Sequence, residues 1–97
     1  MKTFKDLKFH IISIGGVCGI CELDNGCEIA VAMAADTCGG DRGLWEIVVF
    51  KSHNDIECMK LKCLADEDVE GYLTTQEVEE KMIEIQKELE YIVLKNE

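Results

Sequence analysis

The last quarter of the chain carries one apolar stripe at helical spacing, and this stripe restricts the folds open to the chain. Five apolar residues recur at intervals of four and three: Val78, Met82, Ile85, Leu89 and Ile92. Just before them, Thr74 and Glu77 have the spacing of a capping box, in which each residue bonds the backbone of the other. The pattern predicts an amphipathic helix over residues 74–95, whose apolar face must be covered.

Five segments of the preceding sequence have the composition of strands. They are residues 9–14, 17–23, 28–35, 44–50 and 56–64, and an Asp24-Asn25-Gly26 turn joins the second to the third. The expected fold is α+β: an antiparallel meander of four or five strands packed against the C-terminal helix. We expect one domain over residues 1–97, with a β-rich part at 9–64, an acidic connection at 65–73 and the helix at 74–95.

The helical stripe has a second interpretation. Ile83, Val93 and Leu94 widen the apolar arc beyond a narrow seam, which leaves room for a homodimer as well as a monomer. Only about two and a half heptads are present, fewer than a coiled coil usually shows. The sequence therefore favours packing on the sheet.

Charge limits the partners. The chain has 20 acidic and 10 basic residues, a net charge of -10, so phosphate backbones and anionic membranes repel it while basic protein surfaces attract it. The alternative is that the charge only keeps a small protein in solution. The sequence shows no secretory signal and no apolar run that could span a bilayer, which predicts a cytoplasmic protein with reduced cysteines.

Six cysteines in a reducing compartment suggest metal binding. Cys18-Gly19-Ile20-Cys21 is a C-x-x-C motif, whose two thiolates can meet on one zinc ion if the backbone turns there. The meander brings the ends of later strands back towards this motif. We therefore predict a structural zinc site with ligands Cys18, Cys21, Cys38 and Cys63, for which Cys27 or His10 could substitute.

The cysteines are also compatible with roles other than metal binding. Buried thiols often serve as small apolar side chains, and this is the favoured interpretation of Cys58. A thiol redox protein using Cys18 and Cys21 is disfavoured, because an active C-x-x-C places its first thiol at a helix N-terminus and this motif lies in strand-like sequence. No enzyme motif is present, so we expect a protein without catalytic activity.

Three short motifs resemble a family of small uncharacterised proteins from phages and prophages of Gram-positive bacteria. They are Asp24-Asn25-Gly26, the segment 39–46 (GGDRGLWE) and the segment 71–74 (GYLT), in matching order between residues 17 and 89. Cys18 and Cys21 are not features of that family. The resemblance implies a non-enzymatic inhibitor of a host defence protein, most concretely an anti-CRISPR protein acting on a type II CRISPR nuclease.

An acidic face is the expected binding surface for such a partner. Seven residues would form it: Asp66, Glu67, Asp68, Glu70, Glu79, Glu80 and Glu84. It would dock on a basic surface that otherwise receives nucleic acid. The alternative is a phage accessory or structural protein with no inhibitory role.

Overall fold

The described part of the chain folds into six antiparallel strands and one long C-terminal helix. The computed structural model describes residues 1–12 and 15–96, apart from the side chains of Ile56 and of residues 93–96. In chain order the elements are β1 (Lys8–Ile11), β2 (Val17–Glu22), β3 (Glu28–Met33), β4 (Trp45–Ser52), β5 (Asp55–Cys58), β6 (Glu70–Leu73) and α1 (Thr75–Asn96). The α+β prediction is confirmed.

The sheet is a meander with one return. Strands β1 to β5 lie side by side in chain order, and β6 comes back to pair with β4. Because β3 occupies one edge of β4, the other edge is divided between two partners. Cys58 of β5 lies opposite Phe50, whereas Leu73 of β6 lies opposite Trp45.

The core lies between one face of the sheet and α1. Ile29, Val31, Ile47 and Val49 alternate along β3 and β4 towards this face, and all four are fully buried. The helical stripe meets them, with Val78, Met82 and Ile85 fully buried and Leu89 nearly so. The sequence stripe is therefore the core face of the helix. Burial of each such side chain contributes about 1.5–3 kcal/mol.

Three aromatic rings close the end of the core near the start of α1. Phe4, Phe9 and Trp45 contact one another with ring centroids 5.4–5.8 Å apart. The Trp45 indole N–H also donates to the Thr75 hydroxyl over 3.2 Å. The N-terminal segment is thereby attached to the sheet and to the helix together.

The predicted capping box starts the helix. The Glu77 amide donates to the Thr74 hydroxyl over 3.2 Å, and the Thr74 amide donates to the Glu77 carboxylate over 2.9 Å. Two amides at the helix N-terminus are satisfied in this way. Among the described residues, none of the helices has both the length and the apolar character needed to cross a bilayer.

The chain after β4 differs from the prediction. The strand expected over residues 56–64 ends at Cys58, and the connection expected over 65–73 contains β6. Leu61 and Leu64 are both buried in the core, three residues apart, which a strand with alternating faces cannot achieve. In the sequence, the three-residue spacing of Leu61 and Leu64 could have indicated a turn in place of a strand. Ser13 and Ile14, part of the predicted first strand, lie outside the described residues.

Substitution of Ile85 by alanine tests the assignment of the core. We expect the free energy of unfolding to fall by about 2–5 kcal/mol, because the change removes a fully buried side chain and leaves a cavity. Urea denaturation measures it. The matched control is Lys87→Ala on the exposed side of the same helix, expected to change stability by less than about 0.5 kcal/mol. Equal losses in the two variants would contradict the assignment.

Candidate functional site

The C-x-x-C motif lies in a regular strand, and its two thiols occupy opposite faces of the sheet. Cys18 pairs with Ala32 and Cys21 pairs with Ile29 in an unbroken register between β2 and β3. Cys21 is buried in the core, 4% exposed, whereas Cys18 is half-buried on the other face. The backbone turn that zinc binding requires is absent from β2.

The glycine inside the motif, Gly19, is explained by side-chain packing and not by a turn around a zinc ion. A side chain at Gly19 would place its Cβ 2.7 Å from the ring of Phe9, which lies directly across on β1. Glycine is therefore needed for the aromatic cluster to sit on the sheet. The same small residue that suggested a metal knuckle is explained by packing.

The other two predicted ligands lie elsewhere. Cys38 is exposed in the loop after β3, where its carbonyl accepts a hydrogen bond from the Tyr72 amide of β6. Cys63 lies in the connection after β5, with its amide donating to Glu88 of α1 over 2.9 Å. The strand that was expected to carry Cys63 back to the end of the sheet beside Cys38 ends at Cys58, so Cys63 lies in an irregular connection instead.

The two substitutes do not complete a site. Cys27 is buried, with its sulfur 3.7 Å from that of Met59, and His10 lies exposed opposite Cys18. Over residues 1–12 and 15–96, no three His, Cys, Asp or Glu side chains are arranged to hold a metal ion. Zinc stays a prediction from the sequence, without support from this geometry.

None of the thiols is activated. The pKa of all six lies above the ordinary value of 9.0, chiefly because of burial, except at Cys38, where a hydrogen bond to Glu46 is the main cause. Burial and then the neighbouring Glu88 carboxylate raise the pKa of Cys63 to about 12. A redox-active cysteine requires a lowered pKa, so these thiols lack the property that a catalytic thiol needs.

Two of the predicted acidic residues, Glu70 and Glu84, are in contrast brought together by one lysine. Lys81 of α1 joins the start of β6 to the helix: its Nζ is 3.2 Å from the Glu70 carboxylate and 3.4 Å from that of Glu84. It also donates to the Cys63 carbonyl over 2.7 Å. Partial burial alone would lower the pKa of Lys81, but its bond to Glu70 and the charge of Glu84 raise it. The lysine therefore remains charged and ties the two segments together.

The seven predicted acids divide into two groups. Glu70 and Glu84 are engaged with Lys81, and Glu70 also accepts from the Ala65 amide over 2.9 Å. The remaining five do not contact this lysine: Asp66, Glu67, Asp68, Glu79 and Glu80. All of these but the half-buried Asp68 are exposed. We refer to these five residues together as the acidic face, with three on the connection between β5 and β6 and two on α1.

The connection between β5 and β6, which carries three of these five acids, has a defined backbone. The Leu61 amide donates to the Glu67 carbonyl over 2.7 Å, and the Glu67 amide donates to the Leu64 carbonyl over 3.1 Å. Glu88 holds the opposite side by accepting from the amides of Lys62 and Cys63. The acids of the connection are therefore presented on an ordered turn. Lys60 and Lys62 flank it as exposed cations.

Lys81 and Glu88 were not singled out in the sequence. The pairing of Lys81 with Glu84 was available from their spacing of three residues on a helix. Its pairing with Glu70, and the contacts of Glu88 with the connection, join residues 11 to 26 positions apart. Such contacts depend on how the connection packs on the helix.

Comparisons with protein-family models, with curated proteins and with solved structures found no significant match to this chain. The resemblance to phage proteins therefore rests on the three sequence motifs alone.

Metal analysis of the protein purified without a metal-affinity tag tests the zinc prediction. From the geometry we expect no stoichiometric zinc, and six cysteines that titrate as thiols once the chain is denatured. About one zinc per chain, with about four thiols released by chelation, would show that the ligands rearrange and would support the sequence prediction.

Substitution of Lys81 by methionine tests its role between the two acidic segments. Because Glu70 loses its partner in a partly buried setting, we expect the free energy of unfolding at pH 7 to fall by about 1–3 kcal/mol. The exposed Lys87→Met variant is the control, and equal stability of the two variants would contradict the role.

The contribution of Lys81 to stability should also depend on pH. A raised pKa in the folded state means that the contribution of Lys81 is complete below its ordinary pKa of 10.5 and is lost as pH rises through the folded value. The stability difference between wild type and Lys81→Met should therefore be constant from neutral pH to about 10 and shrink above it.

Proposed function

We propose that this chain is a non-enzymatic protein that binds a basic protein surface through its acidic face. The observation that carries the proposal is the joining of two acidic segments, distant in sequence, by Lys81. Exposed carboxylates on an ordered turn and on a helix offer a fixed pattern of negative charge. Such a pattern selects a partner of opposite charge and speeds its association.

The particular form is the one that the phage resemblance implies: an inhibitor that acts in the host cytoplasm on a type II CRISPR nuclease. The acidic face would occupy a basic groove that otherwise holds nucleic acid. This step from resemblance to target is an analogy, and the charge pattern supports only the kind of surface that is bound. The proposal needs no metal, because hydrogen bonds hold the connection that carries Asp66, Glu67 and Asp68, and Lys81 joins the neighbouring Glu70 to the helix.

Two features count in favour of a binding role over catalysis. The pKa of every cysteine is raised, and that of Lys81 is raised as well, so neither group is poised as a nucleophile. The carboxylates of the acidic face are mostly exposed, so a partner can contact them directly. Val78, Met82, Ile85 and Leu89 of the helical stripe are buried in the core, which favours packing on the sheet over a dimer seam.

Charge reversal tests the acidic face. We expect the Glu67→Lys/Asp68→Lys double variant to bind a guide-loaded type II CRISPR nuclease at least about tenfold more weakly, with a smaller dependence on salt. Inhibition of DNA cleavage at several salt concentrations measures both effects. The control is Asp24→Lys/Asp41→Lys, which reverses the same number of charges at exposed positions outside the acidic face.

Three outcomes separate the alternatives. Loss of inhibition in the first variant but not in the second supports the acidic face. Equal inhibition by both variants removes the acidic face as the binding surface. No inhibition by the wild-type protein removes this class of target and favours the accessory-protein interpretation.

A further inference from the structure

A cleft of about 740 Å³ lies between the N-terminal segment, the turn between β2 and β3, and the second half of α1. Its lining comes from the ranges 1–6, 23–25 and 86–90, so three elements supply three walls. Leu23 and Leu89, both nearly buried, give the cleft an apolar floor. A cleft of this size that combines an apolar lining with a few polar groups is the usual form of a small-molecule site.

Hydrogen bonds hold the N-terminal wall of the cleft in place. The Gln86 side chain of α1 accepts from the Lys2 amide over 2.8 Å and donates to the Lys2 carbonyl over 2.7 Å. The Thr3 amide donates to the Asp6 carboxylate over 2.8 Å, which closes the short turn that carries Lys5. The wall that carries the two lysines is therefore joined to the helix before any ligand binds, and little ordering remains to be done on binding.

The charges of the cleft are divided between its walls. Lys2 and Lys5 lie on the N-terminal wall, whereas Asp24 lies on the turn and Glu90 on α1. In the part of the chain that the structure describes, none of these four side chains has an oppositely charged group within 4 Å. Two cations on one wall thus stand across the apolar floor from two carboxylates on the others.

One further carboxylate, that of Asp6, lies among the two lysines without cancelling them. Its bond from the Thr3 amide is the main cause of its lowered pKa, and the charges of Lys2 and Lys5 add to the effect. Both ammonium groups therefore act on the same carboxylate, which places them close to each other. After Asp6 is counted, one positive charge remains on this wall.

A ligand that matches this arrangement carries an anionic group, a cationic group and an apolar body between them. A purely anionic ligand would meet the carboxylates of Asp24 and Glu90, and a purely cationic ligand would meet both lysines. A short apolar peptide with free termini has the required pattern. Taken as a sphere, the cleft is about 11 Å across, and three fully extended residues span at most about 10–11 Å.

We propose that this cleft binds a short apolar peptide with free termini. The peptide carboxylate lies against Lys2 and Lys5, the peptide amine lies against Asp24 and Glu90, and apolar side chains cover the floor. The inference does not depend on the proposed function, because no residue of the acidic face lines the cleft.

Amide NMR titration of the full chain with the tripeptide leucyl-alanyl-leucine tests the proposal. We expect saturable shifts at Lys5, Asn25 and Glu90, with a Kd on the order of 0.1–1 mM. Blocked forms of the same peptide separate the two charges: the N-acetylated form lacks the cation, the C-amidated form lacks the anion, and the doubly blocked form lacks both. Each single block should weaken binding about fivefold.

Two neutralising variants assign each charge of the peptide to its wall. Lys2→Gln/Lys5→Gln should bind the free and the C-amidated peptides about equally, because the partner of the carboxylate is lost. Asp24→Asn/Glu90→Gln should bind the free and the N-acetylated peptides about equally, because the partner of the amine is lost.

The control is Lys51→Gln/Lys60→Gln, which removes two positive charges at exposed positions outside the cleft and should bind like the wild type. The blocked peptides act on the wild-type protein, so they decide the case if circular dichroism shows that a variant is unfolded. The absence of saturable shifts up to about 10 mM overturns the proposal. So does a doubly blocked peptide that binds as tightly as the free one, or a control that loses the preference for the free peptide.

Discussion

Burial of the helical stripe against one face of the sheet is the contact on which the rest of the structure depends. Val78, Met82 and Ile85 are fully buried, as are Ile47 and Val49 opposite them. Because α1 covers only this face, most side chains on the other face of the sheet are partly exposed. The same packing brings α1 alongside the connection between β5 and β6, and so creates the setting for Lys81 and Glu88. The contacts that hold the connection therefore follow from where the helix lies.

The connection after β5 shows how a polar network shapes a segment that has no regular structure. Leu61 and Leu64 turn into the core, while Glu88 satisfies two backbone amides on the side towards α1. Lys81 neutralises part of the charge of Glu70 and Glu84. Two neighbouring carboxylates repel each other, and one well-placed cation reduces that cost. A single lysine therefore joins the start of β6 to the helix.

For the cysteines, the local sequence motif did not determine the structure. Cys18 and Cys21 have the spacing of a metal motif, but a straight strand turns residues three apart to opposite faces. Cys21 becomes part of the core, Cys18 lies half-buried on the opposite face of the sheet, and Gly19 makes room for Phe9. Spacing alone does not distinguish a knuckle from a strand. The difference lies in the partners on both sides of β2, which hold it in register with β1 and β3.

The sequence by itself determined the class of fold, the start of α1 and the identity of its buried face. These features depend on local signals: a capping box at Thr74 and Glu77, apolar residues at helical spacing, and a turn at Asp24-Asn25-Gly26. Tertiary structure alone decided which acids are free, where Cys38 and Cys63 lie, and that β6 returns to β4. The physical reason is that these outcomes depend on contacts between residues far apart in the chain. Local composition does not encode such contacts, and they form only when the helix and sheet pack together.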